Sequence, residues 1–190
     1  MFCDPKVSRT KFERELAEFR AHADIHYRRG IWIMDATFPD VFAVLVAVQP
    51  KPCPVVAFGV VINFDNYDVE PPSVRLVHPL TRVPLKRNEL PHLMQKARPP
   101  VIQGPFAISE NQPLVQGWDG QTPFICLPGV REYHKHPAHT GDSWWLHRKS
   151  GHGRLSTILD VLATYAIDPV TGFNVQMQFH LSLAVPEVPS

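Results

Sequence analysis

The residues best suited to chemistry lie between 124 and 148. Cys126 stands in Phe124-Ile125-Cys126-Leu127-Pro128, and Tyr133-His134-Lys135-His136-Pro137-Ala138-His139-Thr140-Gly141-Asp142-Ser143-Trp144-Trp145 lies just downstream. A cysteine reacts as its thiolate, and with a free-thiol pKa of about 8.5 it needs an electropositive setting or a base beside it. Arg131, His134, Lys135, His136, His139, His147 and Arg148 are the candidates. His134, His136 and His139 admit three readings. They polarise or move a proton at Cys126; they hold Zn²⁺, with Cys126 or Asp142 as a further ligand; or they belong to a solvated loop and have no role. A zinc hydrolase ranks last, because no His-Glu-x-x-His helix or second ligand cluster accompanies them. Pro137 fixes the turn between His136 and His139, which makes that pair the preferred one. Asp142 is placed to orient one imidazole or to position an incoming amine. The competing reading of Cys126 is a buried structural thiol, since unbridged cysteine is among the most buried residue types.

Several elements are needed to position these groups. Thr10 and Glu13 form a capping-box pair, and Phe12, Leu16 and Phe19 recur at helical spacing, which predicts a helix over 10–23 with those three residues buried. Its basic residues Arg9, Lys11 and Arg14 read as a solvated face. Short β-rich runs come next at 31–33, 41–48 and 55–64, separated by Asp35–Asp40 and the Pro50–Pro54 knot, and 73–78 makes a fourth. Connections this short favour an antiparallel meander. Residues 79–123 lack sustained periodicity and form a long irregular insertion with a basic patch (Arg82, Lys86, Arg87) and one helical turn expected over 89–96. Leu155, Ile158, Leu159, Leu162 and Tyr165/Ala166 then line one face of a helix over 154–166, which Pro169 ends. In the tail, 173–181 alternates apolar and polar residues and reads as an extra, half-buried strand. Trp144 and Trp145 read as packing residues.

Bulk composition excludes several function classes. The chain has 190 residues, enough for one domain with a real core. Nineteen basic against eighteen acidic residues leave a net charge of +1, without the footprint of a nucleic-acid or anionic-membrane binder. No apolar run approaches a membrane span, and Met1–Lys6 carries no signal-peptide core, so a cytoplasmic location is expected. Cys3, Cys53 and Cys126 form no Cys-x-x-Cys pair and are expected as thiols. The twenty prolines mark turns and the irregular segment.

Three stretches together resemble the ubiquitin-conjugating (UBC) family. Tyr67-x-x-x-Pro71-Pro72-x-Val74 is similar to that family's turn between its third and fourth strands. Ile125-Cys126-Leu127 resembles the segment around its nucleophile, and Trp144/Trp145 with the Leu155–Pro169 helix resembles the family's Trp and the helix after it, which also ends in Asp-Pro. The resemblance covers about 10–169 and implies a single α+β domain of UBC-like fold: N-terminal helix, four-stranded meander, active-site cysteine segment, C-terminal helix. It implies a transferase without cofactor, in which Cys126 carries a ubiquitin-like modifier as a thioester. The implied partners are an adenylating activating enzyme, which the first helix contacts in the family, and a protein target. Where the family places His-Pro-Asn before the cysteine, this chain has Leu114-Val115-Gln116-Gly117, so the Asn that supports the oxyanion is absent; His136 or His139 would take its place. The missing Asn also leaves open an inactive UBC-like module that binds the modifier without covalent chemistry. The trimmed form resembles the UBC-like proteins of bacterial conjugation operons linked to phage defence.

Overall fold

Asp4, not Thr10, starts the first helix. In the computed structural model, which describes residues 2–91, 94–96, 101–103, 106–108, 112–118 and 120–174, the Asp4 carboxylate accepts the Lys6 amide at 2.8 Å. Pro5 fills the first turn, so α1 runs Pro5–Arg20. Capping by Asp with Pro just inside overrides the box expected at Thr10, whose hydroxyl instead donates to Lys6 O at 3.0 Å within the helix. The helix also stops earlier than expected. A second helix, α2 (Ala23–Arg29), comes after it and buries only His26, so it carries no apolar stripe to betray it. Gly30 closes it at φ +94°, where a Cβ would stand 1.9 Å from Val46 O.

The meander forms as expected. Strands β1 (Ile31–Thr37), β2 (Asp40–Ala47), β3 (Val55–Asn63) and β4 (Ser73–Val77) make one sheet in sequence order, every neighbour antiparallel. Alternation sends Val41, Ala43, Leu45, Phe58, Val60, Ile62, Val74 and Leu76 to one face. That face joins Phe12, Leu16 and Phe19 of α1 and Leu155, Ile158, Leu159 and Leu162 of the C-terminal helix in one core. The fold is thus α+β with helices on one face of an antiparallel sheet. The described part of 79–123 is less irregular than expected. A 3₁₀ turn at Arg87–Glu89 stands just before the helical turn expected over 89–96. Short ladders pair β5 (Gln95–Lys96) with β8 (Gln112–Pro113), β6 (Val101–Gln103) with β7 (Phe106–Ile108), and β9 (Val115–Gln116) with β10 (Phe124–Ile125). Ladders of two or three residues are too short to leave a period. The basic patch disperses: Arg82 pairs with Asp35 at 3.1 Å and lies 4.3 Å over the Phe42 ring.

Three further helices lie beyond the cysteine: α3 (Arg131–Lys135), α4 (Trp144–His147) and α5 (Leu155–Ala166). The strand expected over 173–181 lies outside the described residues beyond Asn174, and 173–174 are not in a strand. No helix among the described residues is long and apolar enough to cross a membrane.

Helix α5 has no side-chain cap of its own, and α1 supplies one. Glu15, 2% exposed, accepts the Leu155 amide at 3.3 Å. Burial raises the Glu15 carboxyl above the usual carboxylate range. The folded state therefore favours its protonated form, and this contribution is lost as pH rises from the usual carboxylate range through the raised folded value. Glu15→Ala leaves the buried Leu155 N–H unmet and is expected to lower stability by about 1–3 kcal/mol. Glu15→Gln keeps an acceptor without the buried charge and should match or exceed the wild type at neutral pH. Urea unfolding of both variants separates the contributions: rescue by Gln assigns the loss in Glu15→Ala to the missing acceptor and side-chain volume and not to the missing charge.

Candidate active site

Cys126 hangs from two short ladders. β10 brings it alongside β9, and its own amide donates to Leu114 O at 2.7 Å, while Leu114 N donates to Met94 O at 2.6 Å. A tight turn comes next, with Val130 N donating to Leu127 O at 3.0 Å. Gly129 sits there so close to the 150–153 loop that a Cβ would lie 1.9 Å from His152 O. The start of α3 is tied to the Tyr67–Pro72 turn. Arg131 N donates to Pro72 O at 2.9 Å, and the guanidinium reaches Pro71 O at 3.1 Å, the Asp65 carbonyl and Glu70. Glu132 accepts from the Ser73 hydroxyl and from Val74 N. These contacts make the turn a support for the cysteine segment.

The histidine loop folds back over the sulfur. His136 Nδ1 accepts the Ala138 amide at 3.3 Å and so caps the 3₁₀ turn Pro137–His139, while its ring stacks on Phe124. The turn delivers His139, whose Nε2 lies 3.6 Å from Cys126 Sγ, within S–H···N contact. The Tyr133 ring stacks on His139 with centroids 3.8 Å apart. Tyr133 O–H donates to Asp142 Oδ2 at 2.6 Å, and His147 Nε2 lies 2.6 Å from Asp142 Oδ1. His134 pins the loop, with Nδ1 2.7 Å from Asp142 O and Nε2 2.7 Å from Pro128 O. A cleft of ≈ 400 Å³ opens between α3, the 3₁₀ turn and Trp144, with His136, His139 and Asp142 on its wall.

The electrostatics are those of a neutral pair. Burial, aided by His136, holds the His139 imidazole below the ordinary histidine range, so at neutral pH it is uncharged and can accept a proton. With its own proton on Nδ1, the ring leaves Nε2 to accept from the thiol. Tyr133 and then His147 hold the Asp142 carboxyl below the usual range. Burial and the Asp142 hydrogen bond push Tyr133 up to about 12, so its phenol stays a donor.

Of the expected site residues, the structure brings Cys126 and His139 together. His136 faces Phe124 and not the sulfur, because its Nδ1 is used as a cap. The Asp142 carboxylate orients an imidazole, but that of His147, and it meets the His139 ring through Tyr133 and by its charge. His134, His136 and His139, the set of the zinc reading, do not gather as metal ligands here. His134 spends both ring nitrogens on carbonyls, and among the described residues no three His, Cys, Asp or Glu side chains gather as metal ligands. Arg131 and Arg148, expected to make the thiol's surroundings electropositive, serve other partners, Arg148 pairing with Asp68 at 2.7 Å. Lys11 joins that same Asp68 at 2.9 Å, Arg9 lies over Phe38 and Arg14 pairs with Glu15 at 3.3 Å; Arg9 and Arg14 stay exposed, as a solvated face requires, and Lys11 is half-buried. The thiol is 5% exposed, where a carrier needs an exposed one. Trp144 is buried as packing, its indole N–H donating to Asp68 O at 3.1 Å, whereas Trp145 is exposed. The parts that Tyr133 and His147 play around Asp142 are invisible in the sequence, since they exist only once the 137–142 loop folds back.

The Y4jH-like (Y4jH) family model matches residues 3–170, from just before the Asp4 cap to just past Pro169. A protein of Sinorhizobium fredii (strain NBRC 101917 / NGR234), described as uncharacterized protein y4jH, is 41% identical over 192 residues, covering 96% of this chain and 91% of the relative. With both matches spanning the meander, the cysteine segment and α5, the chain belongs to the Y4jH-like family.

Proposed function

We propose that this protein is a UBC-like carrier that accepts a ubiquitin-like modifier on Cys126 and passes it to an amine. The observation that carries the reading is the Cys126–His139 pair, a thiol 3.6 Å from a neutral imidazole, placed after a four-stranded meander and before a core helix. That order of elements is the one the resemblance implies. In the first step Cys126 Sγ attacks the thioester carbonyl that joins the modifier to the activating enzyme's cysteine. The bond to Cys126 forms, the bond to the donor sulfur breaks, His139 takes the thiol proton and the departing thiolate is reprotonated. In the second, a target amine attacks the new thioester, an amide forms, and Cys126 leaves with the proton that the amine gives up. Transfer from thioester to thioester is nearly isoenergetic, so the ATP is spent earlier, in adenylation by the activating enzyme. By the same resemblance the pathway is a bacterial conjugation pathway of the kind linked to phage defence, acting in the cytoplasm.

The burial of Cys126 favours a second reading, a UBC-like module that binds the modifier without covalent chemistry. Incubation with the cognate activating enzyme, modifier and ATP separates the two. The carrier yields an ATP-dependent adduct on a non-reducing gel that dithiothreitol removes, and the binding module yields none.

A further inference from the structure

Tyr133 stands between the two halves of the site. Its ring lies on the His139 imidazole with planes 21° from parallel, and its hydroxyl donates to Asp142 at 2.6 Å. Both oxygens of that carboxylate are occupied, Oδ2 by Tyr133 and Oδ1 by His147 of α4. The third group of a nucleophile–base–acid arrangement usually holds the base by hydrogen-bonding its second nitrogen. Here the acid holds an aromatic ring, and the ring holds the base.

We infer that Tyr133 is the positioning residue of the Cys126–His139 pair, fixing the imidazole by its flat face while Asp142 and His147 fix Tyr133. The inference rests on reading Cys126 as a nucleophile and His139 as its base. An imidazole turns about two side-chain torsions, and a sulfur contact of 3.6 Å is too long to hold it alone. A ring packed 3.8 Å away blocks rotation about the second torsion, since an edge-on imidazole would run into it. Tyr133 would itself swing without an anchor, and the short hydrogen bond to Asp142 provides one. The charge states suit this chain of supports: the phenol stays protonated, the carboxylate ionised and the imidazole neutral. A hydroxyl that capped a loop for stability alone would have no reason to keep its ring parallel to the one imidazole that meets the thiol.

The test is alkylation of Cys126 by iodoacetamide, in a Cys3→Ser, Cys53→Ser background so that a single thiol reports, followed by mass spectrometry across roughly pH 5 to 10. With His139 aimed at the sulfur, the rate rises as His139 loses its proton, below the ordinary histidine pKa of about 6.5. Tyr133→Phe keeps the ring but loses its anchor on Asp142, so its rate near neutral pH should fall about threefold, between the wild type and a variant without the ring. Tyr133→Leu loses the stack, and its rate near neutral pH should fall about tenfold, with the midpoint moving toward the free-thiol value of about 8.5. Added to His139→Ala, Tyr133→Leu should change nothing further. The midpoint decides, because a change in access scales the rate at every pH without moving it. If Tyr133→Leu keeps the wild-type midpoint, or shifts it equally with and without His139, the inference is overturned. Should circular dichroism show that the leucine variant has not folded, Tyr133→Gln takes its place with the same expected and overturning results. Alkylation needs no modifier and no activating enzyme. A protein that alkylates as described yet forms no ATP-dependent adduct refutes the carrier proposal and leaves Tyr133 its role.

Discussion

Replacing Cys126 with alanine is expected to abolish the ATP-dependent adduct completely. The sulfur is the atom that forms the bond, so nothing can compensate for its loss. Cys126→Ser sharpens the result. A hydroxyl in the same place attacks more slowly, because it is far less acidic than a thiol and the neutral His139 must remove a proton held much more tightly. Any ester it forms resists dithiothreitol, since an oxygen ester does not exchange with thiols as a thioester does. Slow accumulation of a reductant-stable adduct in the serine variant would therefore locate the modifier on this residue more directly than the alanine result. Cys3→Ala and Cys53→Ala should leave loading unchanged. Cys53 is exposed, on the connection between β2 and β3, and Cys3 lies just before α1, its amide held by the Asn66 side chain at 2.6 Å. An adduct that persists in Cys126→Ala, or moves with Cys53, removes the carrier reading.

The parts of the fold that were legible are those whose signal is local and repeated. The four strands fall within a few residues of expectation because β-branched runs stop at proline- and aspartate-rich turns. Helix α5 does so because five apolar residues mark one face. For α1 the periodicity of Phe12, Leu16 and Phe19 identified the buried face, but it carries no information about where the helix starts. Two starts were available, and the earlier won because Asp4 and Pro5 act together. Helix α2 buries a single residue, so periodicity had nothing to find.

The site divides along the same line. A proline after His136 says that a turn is there, and the turn does bring a histidine to Cys126. Which histidine arrives depends on the direction in which the 3₁₀ turn leaves α3, and that direction is set by contacts distant in sequence: Arg131 on the 65–72 turn, Trp144 on Asp68, and Gly129 against His152. Charge was the least reliable guide. Arg131 and Arg148 are near the cysteine in sequence, yet each is consumed by an anchoring contact, and the group left beside the sulfur is neutral.

That neutrality makes His139 the second large prediction. A residue that acts as general base must be unprotonated to work, so the loading rate should track the neutral fraction of His139. Burial first, then the neighbouring His136, lower its proton affinity; Asp142 opposes them and His134 adds to the lowering. The wild-type rate should therefore hold level from neutral pH down through about 6.5 and fall only below it, where the imidazole gains its proton. In His139→Ala the base is gone, the rate should drop by about 10²–10⁴ near neutral pH, and the remainder should climb as pH rises toward the range where a free thiol ionises, about 8.5. His136→Asn tests the cause of the shift, because its amide oxygen can still accept the Ala138 amide and keep the turn that delivers His139. It removes a neighbour that disfavours the charged form without touching the sulfur, so the acid limb should move to higher pH while the rate on the plateau stays close to wild type. Single-turnover loading of each variant from a pre-charged activating enzyme measures all three quantities. A wild-type profile that rises only near the free-thiol pKa, and that His139→Ala leaves in place, would show that Cys126 ionises without help and that the 3.6 Å contact has no catalytic part.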